Sequence, residues 1–456
     1  MRQAEAPRTG ALGRGAITGL AVARAGIAEL GHRVGLGAGD APQRQARHEA
    51  EIGRILFQAM SQLRGTALKV SQILSMEAGF LPEGVRHELA RACHQVTPLN
   101  RALVGRVFRQ SFGQEPEALF DRFEPAAFAA ASLGQVHRAE LRGQGRLAVK
   151  VQYPGIAATI PADMRLLRGT LKALGHGVLS LPDAPVLDRL MDEIEAMLQR
   201  EVDYLQEAEQ MQWFAEQATL PGVVCPRPLP SHCRREVLTQ QHLDGLHLDD
   251  WLRGQPDAAR RDALGQRLFD WFMQCAFGLG RLQADLHPGN FLFLHDGRLG
   301  VLDFGCTRTL SDHFRTALCA SWSAQLLPPG PARSRRLLDS YRRLGLIAAD
   351  LPQAYFDDTL WPALQAFLDW QSEPFRLADA EGRFDFGRKS APVHPDRATH
   401  QLLMQHLAGM PPEMPAFERG WLGLMHLLSR IGARVDTRNP WVERSATGAA
   451  APADLS

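Results

Sequence analysis

The stretch DLHPGNFLFLHDGRLGVLDFG runs from Asp285 to Gly305. It places Asp285 five residues before Asn290 and then returns to a second aspartate, Asp303, which is followed by Phe304-Gly305. Carboxylate and amide oxygens are hard donors. Mg²⁺ prefers such donors, takes one or two protein carboxylates, and fills its remaining positions with phosphate oxygens and water. Asn290 and Asp303 are therefore candidate metal ligands, and Asp285 is a candidate to orient or deprotonate a hydroxyl or a water. A third charge type comes from Lys150 in the run Leu147-Ala148-Val149-Lys150-Val151-Gln152. Its ammonium suits the α- and β-phosphates of a nucleotide, and it needs a carboxylate to hold it in place. An isolated Asp-Phe-Gly reads as a turn and an isolated strand lysine as a solvated residue, so the combination carries the specificity.

These residues need rigid elements to position them. Phe291–Leu294, the turn Asp296-Gly297 and Leu299–Leu302 predict a hairpin that separates Asn290 from Asp303. Val136–Leu141, Arg142–Gly145 and Leu147–Gln152 predict another. In the latter, Leu147, Val149 and Val151 alternate with Lys150, which puts Lys150 on the face opposite the apolar one. The carboxylate for Lys150 is expected from the helical segment Arg200–Ala208, which offers Glu201, Asp203 and Glu207, the last two four apart and predicted to share a face. Asp-x4-Asn, a hairpin, Asp-Phe-Gly and a strand lysine after Ala-Val reproduce the order of protein-kinase elements. One element departs: no G-x-G-x-x-G precedes Lys150. The chain instead reads Ala129-Ala130-Ala131-Ser132-Leu133-Gly134. On its own this is a helix or turn, and alanine cannot close on phosphates as glycine does.

The bulk numbers permit such an enzyme. The 456 residues suffice for roughly two to four domains. Hydrophobic residues at 45% and a net charge of +1 describe a globular chain without the global positive field of a nucleic-acid binder. Cys93, Cys225, Cys233, Cys275, Cys306 and Cys319 form no CxxC pair, so free thiols in a reducing compartment are expected. His137, His287 and His295 are too dispersed for a metal site and read as loop-packing residues. The N-terminal MRQAEAPRTG lacks the features of a signal peptide, and Arg14 and Arg24 interrupt Gly10–Ile27. The long uncharged run Thr316–Ala332 contains Pro328, Pro329 and Pro331, a poor membrane span. A cytoplasmic protein is expected, at most peripheral at an inner membrane. The aromatic clusters of 355–425 read as helix core, with room for a lipid groove.

Several motifs together resemble the UbiB (AarF-type) atypical kinase-like family, which is linked to coenzyme Q and other isoprenoid-lipid metabolism. Lys69-Val70-Ser71-Gln72 resembles its K-x-G-Q helix and Ala129–His137 its alanine-rich loop. Glu201-Val202-Asp203 is similar to its E-x-D element, and Gln283–Asn290 to its Q-A-D-x-H-P-G-N loop. Ser71 stands where glycine is usual, and Leu286 where proline is common. The resemblance implies that Glu207 pairs Lys150, that Ala129–Ser132 face the nucleotide, and that Lys69, Gln72, Glu201 and Asp203 gate a cleft against protein substrates. It implies ATP or ADP with Mg²⁺ as cofactors, and as partners the nucleotide, a lipid or isoprenoid-quinone intermediate and a peripheral membrane contact, with no nucleic acid.

The expected fold is α+β: a protein-kinase-like two-lobed fold with an added N-terminal helical segment over the cleft and a helical C-terminal extension. The expected parts are a flexible lead-in over 1–44, the helical segment over 45–115, nucleotide-binding lobes over 116–310, helices over 311–440 and a disordered tail over 441–456. The expected activity is that of a Mg-dependent ATPase or small-molecule kinase. The alternative is a nucleotide-gated protein that organises lipids without phosphoryl transfer as its main role.

Overall fold

The computed structural model describes residues 24–25, 28, 41–60, 70, 81–92, 100–131, 133–174, 184–393 and 397–442. The chain divides into two compact units. One takes in Met1–Ala208 and Pro228–His242, the other Glu209–Arg227 and Leu243–Ser456.

The first unit is built on an antiparallel sheet. Its strands are β1 (Arg122–Ala131), β2 (Gly134–Leu141), β3 (Gly145–Gln152) and β5 (Val237–Gln241), in that spatial order. Leu147, Val149 and Val151 of β3 pack with Val104, Val107 and Phe108 of an adjoining helix, Arg101–Phe112. Asn100 caps that helix by accepting from the Leu103 N–H, and Gly113 ends it in the left-handed conformation. Val149 is fully buried, a gain of about 1.5–3 kcal/mol for a side chain of this size. The register leaves little freedom for β2 against β3: a Cβ on Gly134 would lie 2.3 Å from the Val151 carbonyl oxygen. The anticipated hairpin is present with Val136 opposite Lys150.

A separate core in the same unit joins α1 (Ala41–Met60) and α2 (Glu83–Ala92) to α4 (Ile156–Leu174) and α5 (Ala184–Glu201), with α3 being Arg101–Phe112. Ile52, Leu56, Val85 and Leu89 meet Ile160, Leu167, Met191 and Leu198 there, all buried. Ile52, Ile55 and Leu56, at helical spacing, thus form the packed face of α1.

In the second unit a sheet of β4 (Val223–Val224), β9 (Leu299–Val301), β8 (Phe291–Leu294) and β6 (Gly245–Leu246) lies beside a second ladder, β7 (Arg281–Gln283) with β10 (Thr307–Thr309). The helices begin with α6 (Tyr204–Gln217), inside which the unit boundary falls, and α7 (Ala258–Met273). They continue with α8 (Asp312–Gln325), α9 (Pro331–Arg343), α10 (Trp361–Arg376), α11 (Arg397–His406) and α12 (Met414–Ile431). The aromatic residues of this region are core: Trp421 is fully buried, stacks on Phe375 at 5.7 Å and meets Trp322 at 4.8 Å. Helix α7 runs into a π turn over Gln274–Gly278 before the strand that holds Leu282. Gly245 starts β6. The C-terminal region is helical as expected, with one short ladder added, β11 (Arg383–Asp385) against β12 (Arg434–Asp436).

Candidate active site

Lys150 sits mid-strand, with Val136 of β2 on one side and Leu238 of β5 on the other, so its backbone is fixed by two ladders. Its Nζ donates to both carboxylate oxygens of Glu207, each at 3.0 Å. The side chains are 15% and 3% exposed, so the pair is largely desolvated. The ammonium also lies 4.9 Å from the centre of the Tyr204 ring. Glu207 is presented by the first turn of α6. Asp203 sits just ahead of that helix: its Oδ1 accepts from the Gln206 N–H at 3.3 Å, and its Oδ2 lies 3.3 Å from Arg235. Asp203 and Glu207 therefore do not share a helix face as expected. One starts the helix and the other reaches Lys150.

Glu201 is the last residue of α5. Lys69, Gln72 and Ser132 lie outside the described residues. Ala129, Ala130 and Ala131 are the end of β1, opposite Val136, Gln135 and Gly134. This corrects the reading of that run as a helix, turn or loop. Pairing with β2 holds the alanines extended despite their weak strand propensity.

The second unit arranges Asp285, Asn290 and Asp303 between two ladders. The stretch from Ala284 to Asn290 leaves β7 and enters β8, and Leu302 to Cys306 leaves β9 and enters β10. Ala284 N–H donates to the Cys306 carbonyl at 2.9 Å and Leu302 N–H to the Asn290 carbonyl at 2.9 Å, tying both ends. Asn290 Nδ2 donates to the Asp285 carbonyl at 2.8 Å and to its Oδ2 at 3.2 Å. Asp303 Oδ1 accepts from Gly305 N–H at 3.0 Å. Phe304 is fully buried and packs on Phe214 at 4.9 Å, which anchors the Asp-Phe-Gly turn from below.

Two residues that the sequence did not single out hold this arrangement. Gln283 is fully buried, and its Nε2 donates to the carbonyls of both Asp285 and Asp303, at 2.9 and 3.2 Å. Arg419 of α12 donates through Nε to the Ala284 carbonyl and through a terminal nitrogen to Cys306 Sγ. The close approach of α12 requires a small residue, because a Cβ on Gly423 would lie 3.0 Å from the Leu286 carbonyl oxygen. Leu286 is buried in that contact. Position 283 opens the loop motif, and that was its available signal. Arg419 had none.

The donor set suits Mg²⁺. Asn290 commits its amide nitrogen to Asp285, which leaves the amide oxygen as the donor to a cation, and Asp303 adds a carboxylate a short hairpin away. The histidines have other work. His137 is buried, its Nδ1 donates to the Glu124 carbonyl at 2.9 Å and its Nε2 accepts from Gln135 at 2.8 Å. Burial lowers its pKa. His287 Nδ1 accepts from Gly289 N–H at 3.1 Å, and His295 lies 3.8 Å from Asp244.

The ABC1 atypical kinase-like domain matches residues 91–328, which contain every active-site candidate from Ala129 to Asp303. The chain belongs to this family, the UbiB/AarF group of atypical kinase-like proteins. It is similar to "Atypical kinase COQ8, mitochondrial" of Saccharomyces cerevisiae, 26% identical over 401 residues, spanning 85% of this chain and 74% of that protein. It is also similar to "Protein ACTIVITY OF BC1 COMPLEX KINASE 8, chloroplastic" of Arabidopsis thaliana, 30% identical over 272 residues. That match takes in 59% of this chain but only 36% of the Arabidopsis protein. Among solved structures, the Mycobacterium tuberculosis protein Rv3197 in complex with erythromycin has the same fold. Its TM-score is 0.58 at 23% identity, covering 87% of this chain and 96% of that one. The architecture is thus α+β and kinase-like. No helix among the described residues is long and apolar enough to cross a membrane.

Proposed function

We propose that the chain is a Mg-dependent, ATP- or ADP-binding atypical kinase or ATPase that serves isoprenoid-quinone or other lipid metabolism. The observation that carries the nucleotide reading is the hydrogen-bonded set Asp285, Asn290 and Asp303, fixed by one buried glutamine at both carbonyls. Lys150, steadied by Glu207, supplies the ammonium for the phosphates. Mg²⁺, when bound with the nucleotide at Asn290 and Asp303, would offset phosphate charge. Asp285 orients, and accepts a proton from, the hydroxyl or water that attacks. Its carboxylate is already aimed by the Asn290 amide, so this orientation precedes substrate binding.

What supports the lipid part is the resemblance to UbiB proteins and the likeness to the yeast atypical kinase. Lys69, Gln72, Glu201 and Asp203 are proposed to restrict protein substrates. A protein found in the cytoplasm, with peripheral membrane contact and a lipid intermediate as partner, fits this reading. The test is single-turnover Mg-ATP hydrolysis with and without lipid vesicles. Asp285→Asn should bind Mg-ATP as the parent does and lose about 10²- to 10⁴-fold in rate. Equal rates would remove Asp285 from the chemistry. If nucleotide binding needs Mg²⁺ and vesicles bind, but no turnover or phosphorylated product arises, the lipid-organising alternative takes its place.

A further inference from the structure

A cavity of about 370 Å³ lies within the second unit, between α8, α9, α10, α11 and α12 and the segment that follows α11. Its size falls within the roughly 300–1,000 Å³ of small-molecule sites. Leu318, Trp322, Leu364, Phe367 and Phe417 supply much of its wall, and Met410, 52% exposed, lines the end that reaches the surface. No Lys or Arg is among the lining residues, whereas one carboxyl is: Glu418.

Glu418 finds no hydrogen bond or ion pair among the described residues, and burial pushes its carboxyl above the usual carboxylate range. Of the other polar lining groups, the Tyr341 hydroxyl pairs with Ser321 and His406 Nε2 with the Tyr355 hydroxyl at 2.8 Å, while the buried side chains of Gln325 and Gln371 add two neutral amides. The Tyr341 phenol also feels the Glu418 charge. A half-buried carboxyl without a donor is costly to keep, and a glutamine or leucine would fill the same position at less cost. A ligand that brings a donor relieves that cost, and an ammonium relieves most, through a charge-assisted hydrogen bond. Anions meet the opposite condition: one acid and no fixed cation. The rings of Trp322, Tyr341, Phe367 and Phe417 suit both a hydrocarbon body and a neighbouring cation.

We propose that this cavity binds a small lipophilic amine, its ammonium against Glu418 and its hydrocarbon part between the helices. Because every lining residue lies in the second unit and none is in the nucleotide set, the site stands independently of the proposed phosphoryl chemistry.

The experiment is isothermal titration of the full chain with decylamine, decanol and decanoate below their micellar concentrations. It is repeated with Glu418→Gln and with Ala363→Trp, which fills the cavity, and melting curves serve as the check on folding. Decylamine should bind at one site, decanol about tenfold more weakly, and decanoate least. Glu418→Gln should bring decylamine down to the level of decanol, and Ala363→Trp should abolish uptake of both. Should Glu418→Gln fail to fold, the ligand series and Ala363→Trp decide alone. No decylamine binding, decanoate binding as tight as decylamine, equal decylamine affinity in folded Glu418→Gln, or undiminished uptake by Ala363→Trp would each overturn the proposal.

Discussion

Lys150 with Glu207 and the set Asp285, Asn290 and Asp303 are held in place by different physics. The first is a charge pair in which each partner satisfies the other with two 3.0 Å contacts in a nearly dry setting. The second is positioned through backbone carbonyls, an amide side chain and backbone N–H groups. A site held by mutual charge is coupled to folding, since removing one member takes the opposite charge from a desolvated neighbour. A site stapled through its backbone separates the two, since the Gln283 bonds to the Asp285 and Asp303 carbonyls remain when a carboxylate there is neutralised. The same family motif set therefore mixes residues that double as structure with residues that are spent on function.

That contrast is tested most strongly at Lys150. Lys150→Ala takes from the buried Glu207 the ammonium that contacts both its oxygens and should lower stability by roughly 3–5 kcal/mol in urea unfolding. The double variant Lys150→Met with Glu207→Met should recover much of that loss. A single variant within about 1 kcal/mol of the parent would show that the pair is not coupled to folding.

Gln283→Ala comes next. It removes the donor from two part-buried carbonyls and should cost about 1–3 kcal/mol, with a loss of turnover beside it. If denaturant midpoints of Gln283→Ala match the parent, the carbonyl staple is not holding the loop. Asp203→Ala removes the side chain that starts α6 and should cost about 1 kcal/mol, read by thermal melting, with Lys150 chemistry preserved.

The smallest effect concerns pH. The folded pKa of His137 lies below its unfolded value near 6.5 because burial disfavours its charge. Its contribution is therefore complete above about pH 6.5 and declines as pH falls further, since the unfolded chain takes up the proton first. His137→Gln should show a flatter decline than the parent between about pH 6.5 and 5. Parallel curves would assign the acid sensitivity to other groups.

What was legible in the sequence follows from this division. The hairpin Phe291–Val301 was readable because a wholly apolar run, an Asp-Gly turn and a second run leave few alternatives. Lys150 was readable because alternation in β3 separates Leu147, Val149 and Val151 from it. The relation of Asp203 to Glu207 was not, since four-residue spacing implies a shared face only inside a helix, and Asp203 stands before its first turn. The alanines of β1 were misread because their strand character comes from pairing with Gly134–Val136, a property of the neighbour. β11 and β12, three residues each and far apart in the chain, carry too short a pattern to stand out. Gln283 and Arg419 act on carbonyls and a thiol that only the folded loop brings near them. The gating assignment for Lys69 and Gln72 falls outside the described residues, and that of Glu201 and Asp203 rests on the resemblance alone.

The measurement that bears most directly on the account is the Mg²⁺-dependent thermal shift with ATP and ADP, for the parent and for Asp303→Asn. At nucleotide concentrations about a hundredfold above Kd, the parent should gain about 2.7 kcal/mol when Mg²⁺ is present. Asp303→Asn should melt close to the parent without ligand, because an asparagine keeps the side-chain oxygen that accepts from the Gly305 N–H, and should lose the Mg²⁺-dependent part of the shift. A parent that shows no nucleotide shift, or an Asp303→Asn variant that keeps the full Mg²⁺-dependent shift, would contradict the account.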